Sequence, residues 1–386
     1  MAQIRPRHTF PAPAAAAALW AALALAACGG GGEKAAWSPG KPFPKENLKI
    51  AILQFDALEG NRSGYTFAHD RGIDEMQLAM GLGESQIVKA YSVTDGDYRT
   101  VENAMRELLA AGANVIIATS YNHMDVCEEL AREYPGVVFA NSSGYKFNRT
   151  NFTNYFGKIY QARYLAGLVA GMRTKTDKIG YVAARGRENS EVTGGLNAFA
   201  IGVEEANPRA RVLVAVIHRW LDPEGEARAA RKLVGEGADV IAQHTNTPAP
   251  QREAEKLGIW GIGYHSDMSA DAPGSVVASV VWNWGVYYKL LAGSIVDGTF
   301  TTKPYVGDLE DGMVDITPLK PSLAPEGAVA RVERARRRIE GGQGDVFEGA
   351  LATNDGRTVG EPGGRLNYSQ VSMDSHWYYR NVVEVD

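Results

Sequence analysis

Short apolar runs rich in Val, Ile and Ala alternate along the chain with longer segments whose apolar residues recur every three or four positions. The first pattern predicts buried strands and the second predicts amphipathic helices. The predicted strands are Leu48–Phe55, Gln86–Tyr91, Val115–Ala118, Val137–Ala140, Lys178–Val182, Val212–Ile217, Val240–Ala242, Ile259–Ile262 and Val276–Val281. The predicted helices are Tyr65–Met80, Arg99–Ala111, Asp125–Glu133, Gln161–Arg173, Ser190–Ala206, Pro223–Glu236 and Trp284–Val296. This alternation indicates an α/β protein whose parallel sheets are flanked by helices.

Two segments in different halves of the chain share a local pattern. Residues 108–118 read LLAAGANVIIA and residues 233–242 read LVGEGADVIA. Each ends a helix with glycine and enters a buried strand, as a βαβ crossover requires. One interpretation is that any α/β protein produces such pairs, and the other is that the chain contains two similar lobes. In the second case the loops after the strands of both lobes form one shared ligand cleft.

The first residues have the pattern of an export signal. Arg5 and Arg7 precede a short apolar stretch rich in alanine, and Leu25-Ala26-Ala27-Cys28 resembles a bacterial lipobox. Lipidation of Cys28, cleavage before it and a glycine-rich tether would anchor the mature protein to a membrane. The alternative is a plain signal peptide with an incidental cysteine. The sequence favours an exported lipoprotein facing the periplasm or the cell exterior.

The length supports two lobes, because about 360 residues remain after cleavage and one ordinary core is smaller than that. The lobes are expected to be discontinuous and joined by hinge crossovers. We assign residues 1–27 to the signal peptide, 28–46 to the tether, 47–160 plus about 279–320 to the first lobe, 161–275 plus part of the C-terminal tail to the second, and 321–386 to a C-terminal helix and tail.

Charge and cysteine content narrow the classes of partner. The formal charge of −5 becomes −7 once Arg5 and Arg7 are removed, and no long basic run exists, so nucleic acid is not an expected partner. Cys127 is the one cysteine besides Cys28, so the lipidated protein has no intramolecular disulfide. It lies in a predicted helix beside acidic residues, which predicts a buried structural thiol. We expect a monomer.

Motifs for catalysis are missing from the sequence. The loop at Gly186 lacks the Gly-Lys-Ser/Thr of a phosphate-binding loop, and no GxSxG nucleophile motif occurs. The seven histidines are scattered and lack the spacing of a metal site. The sequence therefore predicts no enzyme, no cofactor and no catalytic metal.

The predicted loops after the strands instead carry aromatic and polar side chains. Aromatic faces combined with a few hydrogen-bonding groups suit a planar polar heterocycle or a sugar. For each aromatic residue alone, core packing is the competing interpretation. The candidate ligand-binding residues are Tyr65, Thr66, Ser120, Tyr121, Glu191, Asn197, Trp220, Gln243, His244, Asn246, Tyr264, Asp267 and Trp282.

From Leu48 to about Leu319 the chain resembles the basic membrane protein family of substrate-binding lipoproteins, which includes bacterial purine-nucleoside receptors. The resemblance rests on residues 63–72 (SGYTFAHDRG), 164–171 (YLAGLVAG), 178–182 (KIGYV), 237–241 (GADVI) and 262–267 (IGYHSD). It implies the two-lobe type I periplasmic-binding-protein fold, with a parallel sheet in each lobe and a ligand cleft between the lobes.

The resemblance also implies roles for individual residues. Tyr65 falls at a phenylalanine that stacks on the base in the nucleoside receptors, and Thr66 falls at an asparagine. Asp267 corresponds to an aspartate that holds ribose hydroxyls. Trp282 replaces the family lysine beside it, in Ser279-Val-Val-Trp-Asn283. Because indole offers one donor and a large flat face, this replacement favours a free purine base over a nucleoside.

The expected function is therefore the binding of a purine base, adenine-like, or a purine nucleoside, and its delivery to the permease of an ABC importer. A sugar receptor would use the same aromatic residues, and fold alone does not separate the two. A sensor lipoprotein that docks to a membrane partner is a further alternative. A nucleoside-converting enzyme is disfavoured, because no general base with a nucleophile is visible.

Overall fold

A computed structural model describes residues 36–57, 62–94 and 96–385. The predicted signal peptide, its Cys28 and the first part of the tether lie outside these residues. In the described ranges, no helix is both long enough and apolar enough to cross a membrane.

The strands that follow the sequence alternation are short and mostly buried. They are β1 (Ile50–Leu53), β2 (Ile87–Ala90), β3 (Val115–Ala118), β4 (Val138–Ser142), β5 (Phe152–Gly157), β6 (Lys178–Ala183), β7 (Arg211–Val216), β8 (Val240–His244), β9 (Trp260–His265), β10 (Val276–Trp282), β11 (Tyr305–Gly307), β12 (Val314–Ile316), β13 (Leu351–Ala352), β14 (Thr358–Val359) and β15 (Val382–Glu384).

The helices lie between these strands. They are α1 (Tyr65–Met80), α2 (Tyr98–Ala110), α3 (Met124–Glu133), α4 (Ile159–Arg173), α5 (Ser190–Ala206), α6 (Pro223–Gly235), α7 (Ala249–Lys256), α8 (Trp284–Asp297), α9 (Ala328–Glu340) and α10 (Tyr368–Ser372). Each predicted helix and strand overlaps an observed one. β5 and α7 were not predicted, because β5 mixes aromatic residues with polar ones and α7 is short, charged and contains a proline.

The strands form two large sheets, which confirms the α/β prediction. The first has the order β11-β5-β4-β3-β1-β2 and the second has the order β12-β10-β9-β8-β6-β7-β15. All pairs are parallel except β10 with β12. In a parallel sheet the carboxyl ends of the strands share one edge, so the loops that follow the strands come together there.

Within the described residues the chain passes between the sheets at three points: after β5, after β10 and after β11. Residues of about 279–320 were assigned to the first lobe, but in the structure a shorter part of this segment lies with the first sheet. Its first residues still belong to β10, and β12 (Val314–Ile316) lies near its end; both strands are in the second sheet. The chain leaves the second sheet only at Asn283, because β10 continues to Trp282 before α8 begins.

The two helices that follow the crossing out of the first sheet pack unusually closely. Gly167 of α4 faces the carbonyl of Phe199 on α5, and Gly202 of α5 faces the carbonyl of Tyr164 on α4. A β-carbon at either glycine would collide with that backbone, so the small residues in the motif at 164–171 permit the contact. This packing fixes α5, whose first turn reaches the ligand cleft described below. Cys127 is fully buried, as predicted, and burial raises the pKa of its thiol.

Candidate ligand-binding cleft

Loops at the carboxyl ends of both sheets enclose a cleft of about 640 Å³. This volume lies in the range of small-molecule sites, about 300–1,000 Å³. The lining residues are Phe55, Tyr65, Thr119, Ser120, Tyr121, Asn122, Ser143, Gly144, Tyr145, Phe156, Arg185, Glu188, Asn189, Ser190, Glu191, Trp220, Asn246, His265, Tyr368, Ser372, Met373 and His376. The cleft therefore has walls from both sheets and a further wall from the C-terminal segment.

Tyr65 contributes an aromatic ring from the first lobe. It is the first residue of α1, and its hydroxyl donates to the carbonyl of Thr119 at 2.5 Å. The preceding Gly64 has a φ of 99°, in the left-handed region that favours glycine. Its amide donates to the hydroxyl of Ser266 from the second lobe at 3.1 Å. The hydroxyl bond fixes one end of the Tyr65 ring, and the residue lines the cleft.

Phe156 is a further aromatic side chain of the first lobe in the cleft, and it packs on a stack of buried rings. Its ring lies 4.7 Å from that of Trp282, which stacks on Trp284 at 4.6 Å. Trp284 in turn stacks on His69 at 4.1 Å. Because Trp282 ends β10 and Trp284 begins α8, the stack crosses between the lobes at the hinge. A β-carbon at Gly157 would lie 2.8 Å from the Trp282 ring, so Trp282 also fills the space beside the end of β5, where the chain leaves the first sheet.

The second lobe contributes Trp220, Asn246 and His265. The backbone N–H of Asn246 donates to the backbone carbonyl of Trp220 at 2.9 Å. Burial holds the pKa of His265 well below its ordinary value, so the ring is neutral. Its Nε2 lies 3.1 Å from Oδ1 of Asn246, and the neutral ring donates there when its proton is on Nε2. That pairing uses the side-chain oxygen of Asn246, so the side-chain nitrogen is the donor that this amide offers to a ligand.

Glu191 places a carboxyl group in the cleft from the first turn of α5. About a quarter of its side chain is exposed, 26%. Burial raises the pKa of this carboxyl to about 7, although the charge of Arg163 opposes that shift. The group is therefore poised between the carboxylate, which only accepts hydrogen bonds, and the acid, which also donates one.

A buried cation lies behind this carboxyl group. The Arg163 guanidinium is fully buried, stacks 3.7 Å above the ring of Tyr264, and donates to the carbonyl of Gln243 at 2.6 Å. His244 is also close to the carboxyl group, with its Nε2 3.5 Å from an oxygen of Glu191. Burial and the charge of Arg163 hold the pKa of His244 well below its ordinary value. The fixed positive charge behind Glu191 favours its ionised form.

The loop after β8, which carries Asn246, is held by a second buried carboxyl group. Glu226 accepts hydrogen bonds from the hydroxyls of Thr245 at 2.9 Å and Thr247 at 2.7 Å. These two residues flank Asn246 on either side. Burial raises the pKa of Glu226 to about 7. Glu226 is thus a positioning residue for the polar wall of the cleft.

The structure brings about half of the predicted site residues to the cleft. Those in its lining are Tyr65, Ser120, Tyr121, Glu191, Trp220 and Asn246. Those directly behind the lining are His244, Tyr264 and Trp282. The Tyr264 hydroxyl lies 3.2 Å from Nε2 of His244 and accepts a hydrogen bond from the Trp282 indole N–H at 3.3 Å. Those away from the lining are Thr66, Asn197, Gln243 and Asp267.

Each residue in that last group is used elsewhere. Asn197 donates to the carbonyl of Trp377 and accepts from the amide of Tyr379, so its amide fastens the C-terminal segment to α5. The Gln243 amide donates to Thr247 within its own loop. Asp267 is exposed and accepts from the amide of Ser269 at 2.8 Å, which caps its own turn. Thr66 is buried at the start of α1, beside a smaller neighbouring cavity.

Several lining residues were not predicted. His265 reaches the cleft from the end of β9, two positions before Asp267. The sequence reasoning selected Asp267 from this turn, and Asp267 lies outside the lining. The position of His265 at a strand end was a usable signal. Phe156 is the penultimate residue of β5, a strand that was itself not predicted. Tyr368, Met373 and His376 belong to the C-terminal segment, for which strand-end reasoning offers no signal.

The arrangement of the sheets and the cleft defines a class of protein. In the described residues, two mostly parallel sheets, three crossings between them and a cleft at their carboxyl ends are the architecture of a periplasmic-binding-protein fold, which encloses a small molecule between its lobes.

The chain belongs to the family of PnrA-like ABC transporter substrate-binding proteins, whose model matches residues 59–333. Members of this family are solute-binding proteins, not enzymes, and the substrate-binding proteins of ABC importers act outside the cytoplasm with a membrane permease. The resemblance that the sequence motifs indicated is thereby confirmed.

Two curated relatives are similar over most of the chain. A purine-binding protein of Brucella abortus is 30% identical over 317 residues, which cover 82% of this chain and 88% of that protein. A Haloferax volcanii protein named as an ABC transporter glucose-binding protein is 30% identical over 287 residues, which cover 74% of this chain and 71% of that protein.

Solved structures agree on the fold. A solute-binding protein of an ABC transporter system from Conexibacter woesei superposes with a TM-score of 0.63 at 21% identity, over 78% of this chain and 100% of that one. A transcriptional activator of the comK gene from Bacillus halodurans superposes with a TM-score of 0.66 at 19% identity, over 76% and 99% of the two chains. At these identities the likeness concerns the fold alone.

Proposed function

We propose that this protein binds a free purine base in the cleft between its lobes and presents it to the permease of an ABC importer. The observation that carries the proposal is the pairing of aromatic side chains with the Glu191 carboxyl group in a single cleft. Glu188, the other carboxyl group of the lining, accepts from the backbone amide of Gly186 at 3.0 Å. Tyr65 and Phe156 line one side, Trp220 lines the other, and Glu191 lies beside them. A purine base offers two flat faces for the rings and N–H donors at its edge for a carboxylate.

The purine-binding relative from Brucella abortus supports this ligand class, since it matches most of the chain. The positions of two residues favour the base over its nucleoside. Asp267, which the family resemblance assigns to ribose, is exposed and caps its own turn. Trp282, which replaces the second ribose-binding residue, is buried behind Phe156. Neither position supplies the cleft with a partner for ribose hydroxyls.

A sugar is the second candidate, because the Haloferax volcanii relative is named as a glucose-binding protein and is equally identical to this chain. Aromatic rings also pack against pyranose faces, so the aromatic residues alone serve either ligand. The Glu191 carboxyl group and the Asn246 amide likewise fit hydroxyl groups. The affinities for purine bases and for sugars, measured side by side, distinguish the two candidates.

We further propose that the protein is exported and held at the membrane by a lipid on Cys28. This rests on the basic start of the chain and the Leu25-Ala26-Ala27-Cys28 sequence. A tethered receptor stays near its permease, which raises the effective concentration of the bound solute there.

Isothermal titration calorimetry with a matched panel tests the ligand class. The panel contains adenine, guanine, hypoxanthine, their nucleosides, glucose and ribose. We expect at least one base to bind with a dissociation constant of about 1 μM or lower, on the scale that one stacking pair and several hydrogen bonds supply. Its nucleoside should bind more weakly and the sugars should give no heat. Binding of sugars alone would exclude the purine proposal, and tighter binding of a nucleoside would exclude the preference for a base.

A further inference from the structure

The C-terminal segment forms a wall of the cleft although it lies beyond the family match. The match ends at residue 333, and the chain continues through α9 and a small hairpin before it returns to the second lobe. Four side chains of this segment line the cleft: Tyr368, Ser372, Met373 and His376. None of them was among the residues expected from strand ends, because α10 approaches the cleft from outside the βα framework.

The segment is held rigidly against the start of α5. The Ser190 hydroxyl donates to the carbonyl of Met373 at 2.8 Å, and the His376 ring contacts the carbonyl of Arg187 at 2.7 Å through Nδ1. The carbonyl of Val371 lies so close to Gly194 that a β-carbon there would collide with it. α10 therefore packs on the same turn of α5 that carries Glu191.

The residues after α10 continue this attachment. The Asn197 side chain donates to the carbonyl of Trp377 at 2.7 Å and accepts from the backbone N–H of Tyr379 at 2.8 Å, so it holds the backbone on both sides of Tyr378. Arg380 pairs with Glu204 of α5 at 2.7 Å. The chain then ends as β15, which extends the second sheet beside β7. The segment is thus a fixed part of the second lobe, and its cleft residues have defined positions.

Tyr368 is the aromatic residue that this wall offers. It is half-buried and packs against the main core at the edge of the cleft. Burial, followed by the charge of Glu191, raises the pKa of Tyr368, so its hydroxyl stays neutral. The ring and the Glu191 carboxyl group therefore share one side of the cleft, where a flat ligand can meet a ring face and a hydrogen-bond acceptor together.

We infer that the C-terminal segment at 368–376 is a ligand-contacting wall that sets specificity, with Tyr368 as the stacking face for a planar heteroaromatic ligand whose N–H edge meets Glu191. This inference rests on the proposed function for the ligand class. It adds a specificity-determining residue outside the family match, and it predicts that relatives which share the framework but differ in this segment differ in ligand preference.

Calorimetry on three variants tests the inference with adenine, guanine, hypoxanthine and glucose as probes. Tyr368→Ala should weaken binding of the preferred base by about 5- to 150-fold, the range for loss of one stacking face. Tyr368→Phe keeps the face and should stay within about threefold of wild type, since only a hydroxyl is removed. Tyr98→Ala is the matched control, because Tyr98 is an exposed tyrosine on α2 outside the cleft lining, and it should bind as wild type does. Melting curves of all three identify any variant that fails to fold. If Tyr368→Ala does not fold, Tyr368→Leu, which keeps apolar bulk but removes the ring, takes its place and should weaken binding over the same range; unchanged affinity of a folded Tyr368→Leu would overturn the inference.

The outcomes separate the two proposals. If wild type binds a base and Tyr368→Ala binds it equally well, the wall is not a ligand contact while the purine proposal stands. If wild type binds only glucose, the purine proposal fails, and unchanged glucose affinity in Tyr368→Ala would overturn the wall as well. Weaker glucose binding in that variant would support the wall for a different ligand class. If wild type binds neither class, both proposals are overturned.

Discussion

The carboxyl group of Glu191 should make ligand affinity depend on pH near neutrality. Its pKa is raised to about 7, mainly by burial, and it lies in the cleft where a base would present N–H donors. The ionised form accepts such donors with charge assistance, whereas the acid is uncharged and has an O–H donor in place of one acceptor position. Affinity should therefore be highest above pH 7 and fall as the pH drops through the pKa.

The other groups that face Glu191 do not titrate in this window. They are Arg163 on α4, Tyr181 on β6, His244 on β8, Tyr264 on β9 and Tyr368 on α10. Burial raises the pKa of the three tyrosines and lowers that of His244, so all four stay neutral near pH 7. Arg163 keeps its charge throughout. The pH dependence is thus expected to follow one group.

The size of the effect follows from the ionised fraction. With a pKa of about 7, roughly nine tenths of the carboxyl groups are ionised at about pH 8 and roughly one tenth at about pH 6. If only the carboxylate binds, the dissociation constant rises by about tenfold between these two values. Glu191→Gln should remove that dependence and bind at about pH 8 more weakly than wild type, because a neutral acceptor replaces a charged one.

Calorimetry across about pH 5.5 to 8.5 measures this. The ultraviolet spectrum of the free base identifies any titration of the ligand itself. His376→Asn and Glu226→Gln are control variants, because His376 lines the cleft and Glu226 also has a pKa of about 7. Both controls should retain the wild-type slope. An affinity that is flat with pH in wild type, or a slope that survives in Glu191→Gln, would refute the role given to this carboxyl group.

Four further predictions concern single side chains. Tyr65→Ala should weaken base binding by at least about tenfold in calorimetry through loss of a stacking face, and an unchanged affinity would remove Tyr65 from the site. Because the pKa of Glu226 is raised, the folded protein binds more protons than the unfolded chain between about pH 4.5 and 7, and the contribution of Glu226 to stability falls as the pH rises through that window. Glu226→Gln should therefore reduce the change in the free energy of unfolding across this window by about 2–3 kcal/mol in urea titrations. A pH dependence of stability parallel to that of wild type would contradict this. Gly167→Ala should lower stability by about 1–3 kcal/mol in the same assay, because its new methyl group would strike the carbonyl of Phe199, and a neutral result would show that α4 and α5 separate without cost. Cys28→Ser should release the protein from the membrane fraction or stall its processing, and continued lipid labelling of that variant would disprove the anchor.

The framework was predictable because its determinants are local. Buried strands such as Val115–Ala118 are short β-branched runs bounded by turn residues, and parallel sheets place the loops that follow them at one edge. Tyr65 and Glu191 were found for the same reason, since each lies in the first turn of a helix that follows a strand. Local pattern and site position coincide for such residues.

The rest of the cleft depends on contacts that no local pattern contains. Within one turn, His265 faces the cleft and Asp267 faces solvent, and only the path of the backbone decides between them. Asn197 was expected at the ligand from its position along the chain alone, but the backbone of the C-terminal segment satisfies its amide. Tyr368 reaches the cleft only because that distant segment packs on α5.

A crystal structure of the protein grown with adenine tests the central claim most directly. The account predicts electron density for the base in the cleft between the two sheets, with a nitrogen of its edge within hydrogen-bond distance of the Glu191 carboxyl group and its ring against an aromatic side chain of the lining. Adenine bound elsewhere on the surface, or an empty cleft at saturating concentration, would contradict it.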